Sequence, residues 1–274
     1  MQESSAPRVA RIFGMPVHGW PRDALLGAMN DNIRGDRARS YISITSSELL
    51  YKARRSSFLP AYINGARFSI ADGISVSAAA ALHGQRVPRF TGPALMEECC
   101  RYGVEHGWRH FFCGGAEGLA NLLSQKLGAR FPGLITAGTY CPPFRALEPH
   151  EEEAMIAEIN AAKPDILWVG LGVVRQETWI KRHLDRLQVP WLVGVGAAFD
   201  FHAGNVPRAP GWMQKGGLEW AHRLYLEPWR YKRTSSAFVF MLEAALEALF
   251  GRSPVLGGAD EGDTPPAWRG KRRV

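Results

Sequence analysis

Six short, β-prone apolar runs alternate along this chain with stretches of helical spacing, and that alternation constrains the fold more than any other feature. The runs cover residues 41–45, 67–71, 110–113, 134–138, 165–170 and 191–195, with helical patterns over 22–32, 47–59, 93–105, 119–131, 149–162 and 176–187. Strands separated by helices of this length build βαβ units and a largely parallel sheet covered on both faces. DILWVG and WLVGVG are apolar throughout, as central parallel strands require. The expected class is α/β. Ligands of such sheets bind beyond the carboxyl ends of the strands. That rule selects residues 45–48 (with Thr45 and Ser46), 72–73 (with Asp72), 114–115 (Gly114 and Gly115), 140–144 (YCPPF, from Tyr140), 170–176 (with Gly170 and Gly172) and 196–200 (ending at Asp200).

The pattern changes at Asn205. Residues 1–204 read as the α/β catalytic domain. Residues 205–251 read as a basic, aromatic-rich helical appendage, and 252–274 as a Gly/Pro/charge-rich tail expected to be disordered. Within the appendage, 217–227 and 235–250 have helical spacing. From Arg208 to Arg233 six Lys/Arg stand against two Glu, a local charge of +4 within a chain of net charge +7. Such a cluster suits an anionic partner. Trp212, Trp220, Trp229 and Tyr231 interleave with the cations, which favours an anionic membrane surface. No nucleic-acid-binding motif accompanies the charge, so nucleic acid is set aside. Exposed apolar surface in this region serves either a membrane face or a subunit interface, so a homo-oligomer stays open.

No apolar run reaches the ~18 residues of a spanning helix, and the first residues lack the apolar core of a signal peptide. The expected location is the cytoplasm, peripheral at the inner face of the membrane. Cys99, Cys100, Cys113 and Cys141 form no C-x-x-C pair and read as free thiols rather than zinc ligands. The histidines show no metal-binding spacing; His202, after Asp200, is the one at a strand end.

Three segments carry chemistry. Asp72, in ADGIS, follows a strand. A carboxylate there either takes a proton from an attacking hydroxyl or caps a helix, and the local pattern favours neither. CGGAEG and VGLGVVRQETWI put Gly114, Gly115, Gly170, Gly172 and Gln176 at strand-to-helix turns. Glycines there admit backbone N–H groups to a phosphate, and an ordinary tight turn would use the same residues. Arg175 and Phe199 stand where a dinucleotide fingerprint needs its third glycine, and no P-loop occurs. A nicotinamide oxidoreductase and a P-loop NTPase are therefore disfavoured. No D-x-D pair supplies a Mg²⁺ bridge, so neither metal nor cofactor is expected. Any diphosphate must then be neutralised by arginines and backbone amides. Arg223, Arg230 and Arg233 are the candidates, unless they are ordinary solvated helix charges.

ADGISV, RFTGPALM, FFCGGAEG, VGLGVVRQETWI and the long segment from VGAAFDFHAGNVPRAPGW to HRLYLEPWR together resemble the WecG/TagA/CpsF glycosyltransferases. The resemblance runs from about Arg11 to Arg233. It implies a Rossmann-like, mostly parallel sheet with helices on both faces and a small C-terminal helical appendage. It also implies an inverting, metal-independent transferase acting with a UDP-sugar donor. The acceptor it implies is a polyprenyl-diphosphate-linked glycan, in exopolysaccharide or cell-envelope synthesis. Asp72 matches the family's proposed base and Gln176 its active-site glutamine. Arg223, Arg230 and Arg233 match appendage arginines that engage the diphosphate, and the appendage itself is implied to bind the membrane. Thr91 and Gly92, in RFTGPALM, either line the same pocket or form a structural turn. One stretch departs from the family pattern T-[IVL]-N-x-E: Ile44 stands for Thr and Ser46 for Asn. A serine hydroxyl cannot reproduce the paired donor and acceptor of an amide, so Thr45 or Ser43 is expected to compensate. A non-catalytic nucleotide-sugar- or polysaccharide-binding regulator on the same fold is the alternative, since fold does not fix function.

Overall fold

A computed structural model describes residues 8–207, 209–228 and 231–251, the side chains of 214, 215, 232 and 233 excepted. The tail from 252, together with Arg208 and Arg230, therefore lies outside the described residues. The chain forms an eight-stranded, mostly parallel sheet with helices around it, in the order β1-β2-β4-β3-β8-β7-β5-β6. These strands are β1 (Arg8–Ile12), β2 (Met15–Gly19), β3 (Ser40–Ser46), β4 (Phe68–Asp72), β5 (Arg109–Gly114), β6 (Ile135–Tyr140), β7 (Ile166–Gly170) and β8 (Trp191–Gly194). The six apolar runs became β3 to β8. The antiparallel hairpin β1–β2 was not anticipated. Its turn, Phe13-Gly14, has positive φ at both residues (54° and 76°), the geometry that Asn-Gly ordinarily supplies.

By its internal contacts the described chain divides into two compact units. The first holds residues 8–22, 43–91 and 207–251; the second holds 23–42 and 92–206. In the second unit β5 pairs in parallel with β6 and β7, and β7 with β8. Its core is built on Trp108, Trp168, Trp191, Phe111, Phe112 and Phe199, all fully buried. Around these lie α1 (Arg22–Arg34), α5 (Gly92–His106), α6 (Leu119–Arg130), α7 (Pro149–Ala162), α8 (Arg175–His183) and α9 (Ala198–Ala203). Cys99 and Cys100 sit on the buried side of α5 and Cys113 near the end of β5, all as free thiols.

The same core holds a pH-sensitive group. His110 is fully buried, and its Nδ1 accepts from Trp168 Nε1 at 3.1 Å. Burial lowers its pKa to about 3, and burial also lowers His18 and His183. In the unfolded chain an imidazole takes a proton near 6.5. The stabilisation from keeping His110 neutral is therefore complete above about pH 6.5 and erodes as the pH falls toward 3. Urea unfolding should show a loss of about 2 kcal/mol from this residue between pH 6.5 and 5. A profile flat across that range would contradict the assignment.

In the first unit the helices are α2 (Ser47–Ala53), α3 (Leu59–Gly65), α4 (Ile74–Leu82), α10 (Gly211–Lys215), α11 (Glu219–Leu226) and α12 (Tyr231–Phe250). The pattern over 47–59 reads as one helix, but the structure has two. Ser56 Oγ accepts from the N–H groups of Phe58 and Leu59, and Pro60 occupies the first turn of α3. A side-chain oxygen at the start and a proline just inside are the usual signals of a new helix.

Helix α12 is docked by its own acidic residues. Glu243 is fully buried and pairs with Arg54 at 2.8 Å and Arg55 at 2.7 Å. One turn on, Glu247 accepts from the Phe13 N–H at 2.7 Å and meets His83 Nε2 at 3.0 Å. Phe240 and Ala244, fully buried, share this side of the helix. The Phe13 ring in turn lies edge-on to Phe240 and under the Arg54 guanidinium, 4.2 Å from its centroid. These contacts hold a residue with a large side chain in the left-handed turn.

Candidate active site

Asp72 ends β4 and is half-buried, and the capping position of the next helix belongs to Gly73 at φ 97°. A glycine adopts that conformation without strain, so the chain turns sharply beyond the carboxylate. Asp72 opens on a cavity of about 310 Å³ within the first unit, at the small end of ligand-binding cavities. Ser46, Ser47, Ser75, Thr91 and Thr234 supply hydroxyls to its wall; Arg89, Arg223 and Glu219 supply charge. Ile74, Trp220, Leu224, Ala237, Phe238 and Met241 make the rest apolar. The cations are braced: Arg89 Nη2 lies 3.4 Å from Glu219, and Arg223 Nη2 lies 3.2 Å from Glu227 one turn along α11.

Six of the residues selected from sequence thus meet in one cavity: Ser46, Ser47, Asp72, Gly73, Thr91 and Arg223. Ser46 also caps α2, its Oγ accepting from the Leu49 N–H at 3.2 Å. Thr45 is fully buried, and its hydroxyl is shared with Ser69 at 2.6 Å and Ser43 at 3.0 Å. Arg230 lies outside the described residues, as does the side chain of Arg233. Sequence reasoning did not select Arg89, Glu219 or Phe238 for the site, and it gave Trp220 to a membrane surface instead. Arg89 is the first residue of the RFTGPALM motif, two before Thr91, and a charged residue inside a site motif was the available signal.

The remaining candidates belong to the second unit. Gly114, at φ 132°, lies against Gly170: a Cβ there would come within 2.7 Å of the Gly170 carbonyl. The Gly115 N–H donates to that same carbonyl oxygen at 3.1 Å. Gly170 is equally constrained, since a Cβ would meet the Phe199 ring at 2.8 Å. These two glycines are required by packing whatever else they do. Gly172, at φ 87°, has open space where its side chain would be. Its carbonyl accepts from the Gln176 N–H at 3.0 Å, which starts α8.

The Gln176 side chain is buried and packs on Gly194, where a Cβ would meet it at 3.0 Å. Its Nε2 donates to Glu177 Oε1 at 2.9 Å. The Glu177 carboxyl, which also accepts from the Val174 N–H, is the acceptor toward which the amide nitrogen is turned. Gln176 Oε1 is left without a hydrogen-bond partner among the described residues. A buried acceptor in that state lacks a donor that a hydroxyl or amide N–H could supply.

Tyr140 is half-buried at the end of β6, its phenol pKa raised chiefly by burial. Asp200 is half-buried on α9, and its backbone carbonyl accepts from Asn205 N–H. Gly92 is buried at the start of α5. His202 Nε2 lies 2.9 Å from the Pro93 carbonyl oxygen, a packing bond of the α5–α9 pair.

The profile of the glycosyl transferase WecG/TagA/CpsF family matches residues 10–254. The chain is 29% identical over 197 residues to a Bacillus subtilis (strain 168) protein, covering 71% of this chain and 75% of that one. That relative is named N-acetylglucosaminyldiphosphoundecaprenol N-acetyl-beta-D-mannosaminyltransferase. A Staphylococcus aureus (strain NCTC 8325 / PS 47) protein of the same name is 29% identical over 186 residues, covering 67% and 70%. The match takes in both units of the structure and almost every residue discussed above. The chain belongs to the WecG/TagA/CpsF family of glycosyl transferases.

Proposed function

We propose that this protein transfers a sugar from a UDP-sugar to a polyprenyl-diphosphate-linked glycan, with inversion, in bacterial exopolysaccharide or cell-envelope polymer synthesis. The observation that carries the proposal is the single cavity holding Asp72 with Arg89 and Arg223. A carboxylate and two guanidinium groups on the wall of one cavity suit a reaction that removes a proton from one substrate and releases a diphosphate from the other. Asp72 takes the proton of the acceptor hydroxyl as its oxygen bonds to the anomeric carbon. The bond from that carbon to the UDP oxygen breaks, and its electron pair leaves with UDP. Arg223 and Arg89 offset the charge that develops on the diphosphate. The relatives are named as forming a β-linked product. A UDP-D-hexose is α-linked, so one displacement from such a donor gives β.

Gln176 acts through hydrogen bonding rather than proton transfer. Its Oε1, which has no hydrogen-bond partner among the described residues, is suited to accept from a hydroxyl or amide N–H. Of the strand-end glycines, Gly172 has the open space a phosphate needs at its α-carbon, whereas the Gly115 N–H is already given to the Gly170 carbonyl oxygen. No metal ion is assigned a role, and among the described residues no three His, Cys, Asp or Glu side chains gather as a metal site.

Among the described residues no helix is long and apolar enough to cross a membrane. Access to a lipid-linked acceptor then rests on peripheral binding at the inner face of the cytoplasmic membrane. Trp212, Tyr225 and Tyr231, 60–84% exposed, are the surface aromatics that support this role for residues 205–251. Each Lys or Arg near an anionic leaflet adds about 1 kcal/mol.

A panel of UDP-sugars assayed against GlcNAc-diphosphate-polyprenol, with products weighed by mass spectrometry, tests the reading. One donor should add a single hexose or N-acetylhexosamine mass, with the rate maintained in a chelator. Nucleotide-sugar binding without turnover by any donor would instead identify a regulator.

A further inference from the structure

The Asp72 cavity changes character along its length. Near the strand ends its wall is polar and deep: Ser46 and Thr91 are 7% and 8% exposed, beside the half-buried Asp72. Toward solvent it is hydrocarbon: Ile74, Trp220 and Phe238 are 49%, 47% and 65% exposed. This outer wall is organised rather than incidental. Trp220 and Phe238 meet edge to face, centroids 6.2 Å apart at 85°. Ile74 is packed so closely on Gly217, at φ 71°, that a Cβ there would lie 2.5 Å from Ile74 Cδ1. Exposed large apolar side chains grouped at the mouth of a polar cavity mark a binding surface.

A UDP-sugar has no hydrocarbon end to place there. A polyprenyl-diphosphate-linked sugar has one, opposite its reacting hydroxyl. With that hydroxyl at Asp72, the ring and diphosphate extend away from the strand end, and the hydrocarbon leaves through the mouth. We infer that Ile74, Trp220 and Phe238 form a lip that grips the first isoprene units of the acceptor, so that the protein itself selects a prenyl chain. This rests on the transferase reading above and adds to it a determinant of acceptor specificity that works without a bilayer.

The test uses the full chain in vesicle-free solution below the micelle concentration. Two acceptors are compared: GlcNAc-diphosphate on a short prenyl chain, and GlcNAc-diphosphate on a methyl group. Wild-type kcat/KM should favour the prenyl acceptor by about tenfold or more, as expected for burying several methylenes. Phe238→Ser and Ile74→Ser, both at exposed positions, should bring the ratio toward one. Leu249→Ser removes an apolar side chain 75% exposed on the same helix but outside the cavity, and should keep the wild-type ratio. Equal use of both acceptors by the wild type, or an unchanged ratio in both lip variants, overturns the lip while leaving the transferase reading intact. Loss of the ratio in Leu249→Ser as well also overturns it, in favour of unspecific surface adsorption. No transfer to either acceptor overturns the transferase reading and the lip together.

Discussion

Replacing Asp72 with Asn lowers the turnover number for sugar transfer by about 10²–10⁴-fold, the usual contribution of a positioned general base. Asn has nearly the same shape and still accepts hydrogen bonds, but it cannot take the proton that the acceptor hydroxyl must lose. Asp72 is half-buried at the last position of β4, and Gly73, not Asp72, holds the capping position of α4. The substitution therefore disturbs chemistry more than folding, and the melting temperature should stay within a few degrees. Steady-state kinetics on the purified variant, with saturating donor and acceptor, give the answer. Turnover close to the wild type would remove the carboxylate from the reaction.

The second large effect concerns stability. Glu243→Ala leaves the guanidinium groups of Arg54 and Arg55 without the carboxylate that both of them contact. The side chains of Arg54, Arg55 and Glu243 are 9%, 1% and 0% exposed. Removing one partner of a buried ionic cluster costs about 3–5 kcal/mol, because the remaining charge stays desolvated. Urea unfolding should show a loss of that order. Activity should fall with it, because Thr234, Ala237, Phe238 and Met241 of the same helix line the Asp72 cavity. Glu243→Gln keeps the size and part of the hydrogen bonding, and should be milder. A loss under about 1 kcal/mol in Glu243→Ala would mean that apolar packing of Phe240 and Ala244 holds α12 without the ion cluster.

The central sheet was readable because parallel strands buried on both faces must be apolar throughout, and Ile166–Gly170 and Trp191–Gly194 are. The hairpin was not readable from its turn. Phe13-Gly14 takes a geometry that favours Asn-Gly, and what holds it is tertiary: the Phe13 ring packs on Arg54 and Phe240. The alternation of buried Ala10 and Ile12 with exposed Val9 and Arg11 was the only local signal. The two-helix region 47–65 carried its signals, Ser56 and Pro60, inside a helical pattern that masked them.

For the candidate site the balance is similar. A strand-end rule selected Asp72 because it depends only on local order. Arg89, Glu219, Trp220 and Phe238 come from three separate stretches, and nothing in the spacing of the sequence links them. Thr45, a strand-end residue by the same rule, spends its hydroxyl on Ser43 and Ser69 within the core.

The anomeric configuration of the new linkage, read by NMR from the one-bond C–H coupling of the purified product, tests the account most directly. A single displacement in which Asp72 activates the acceptor hydroxyl converts an α-linked donor into a β-linked product. A product that retains the donor's configuration would require an intermediate on the protein or attack from the same face, and would contradict the account.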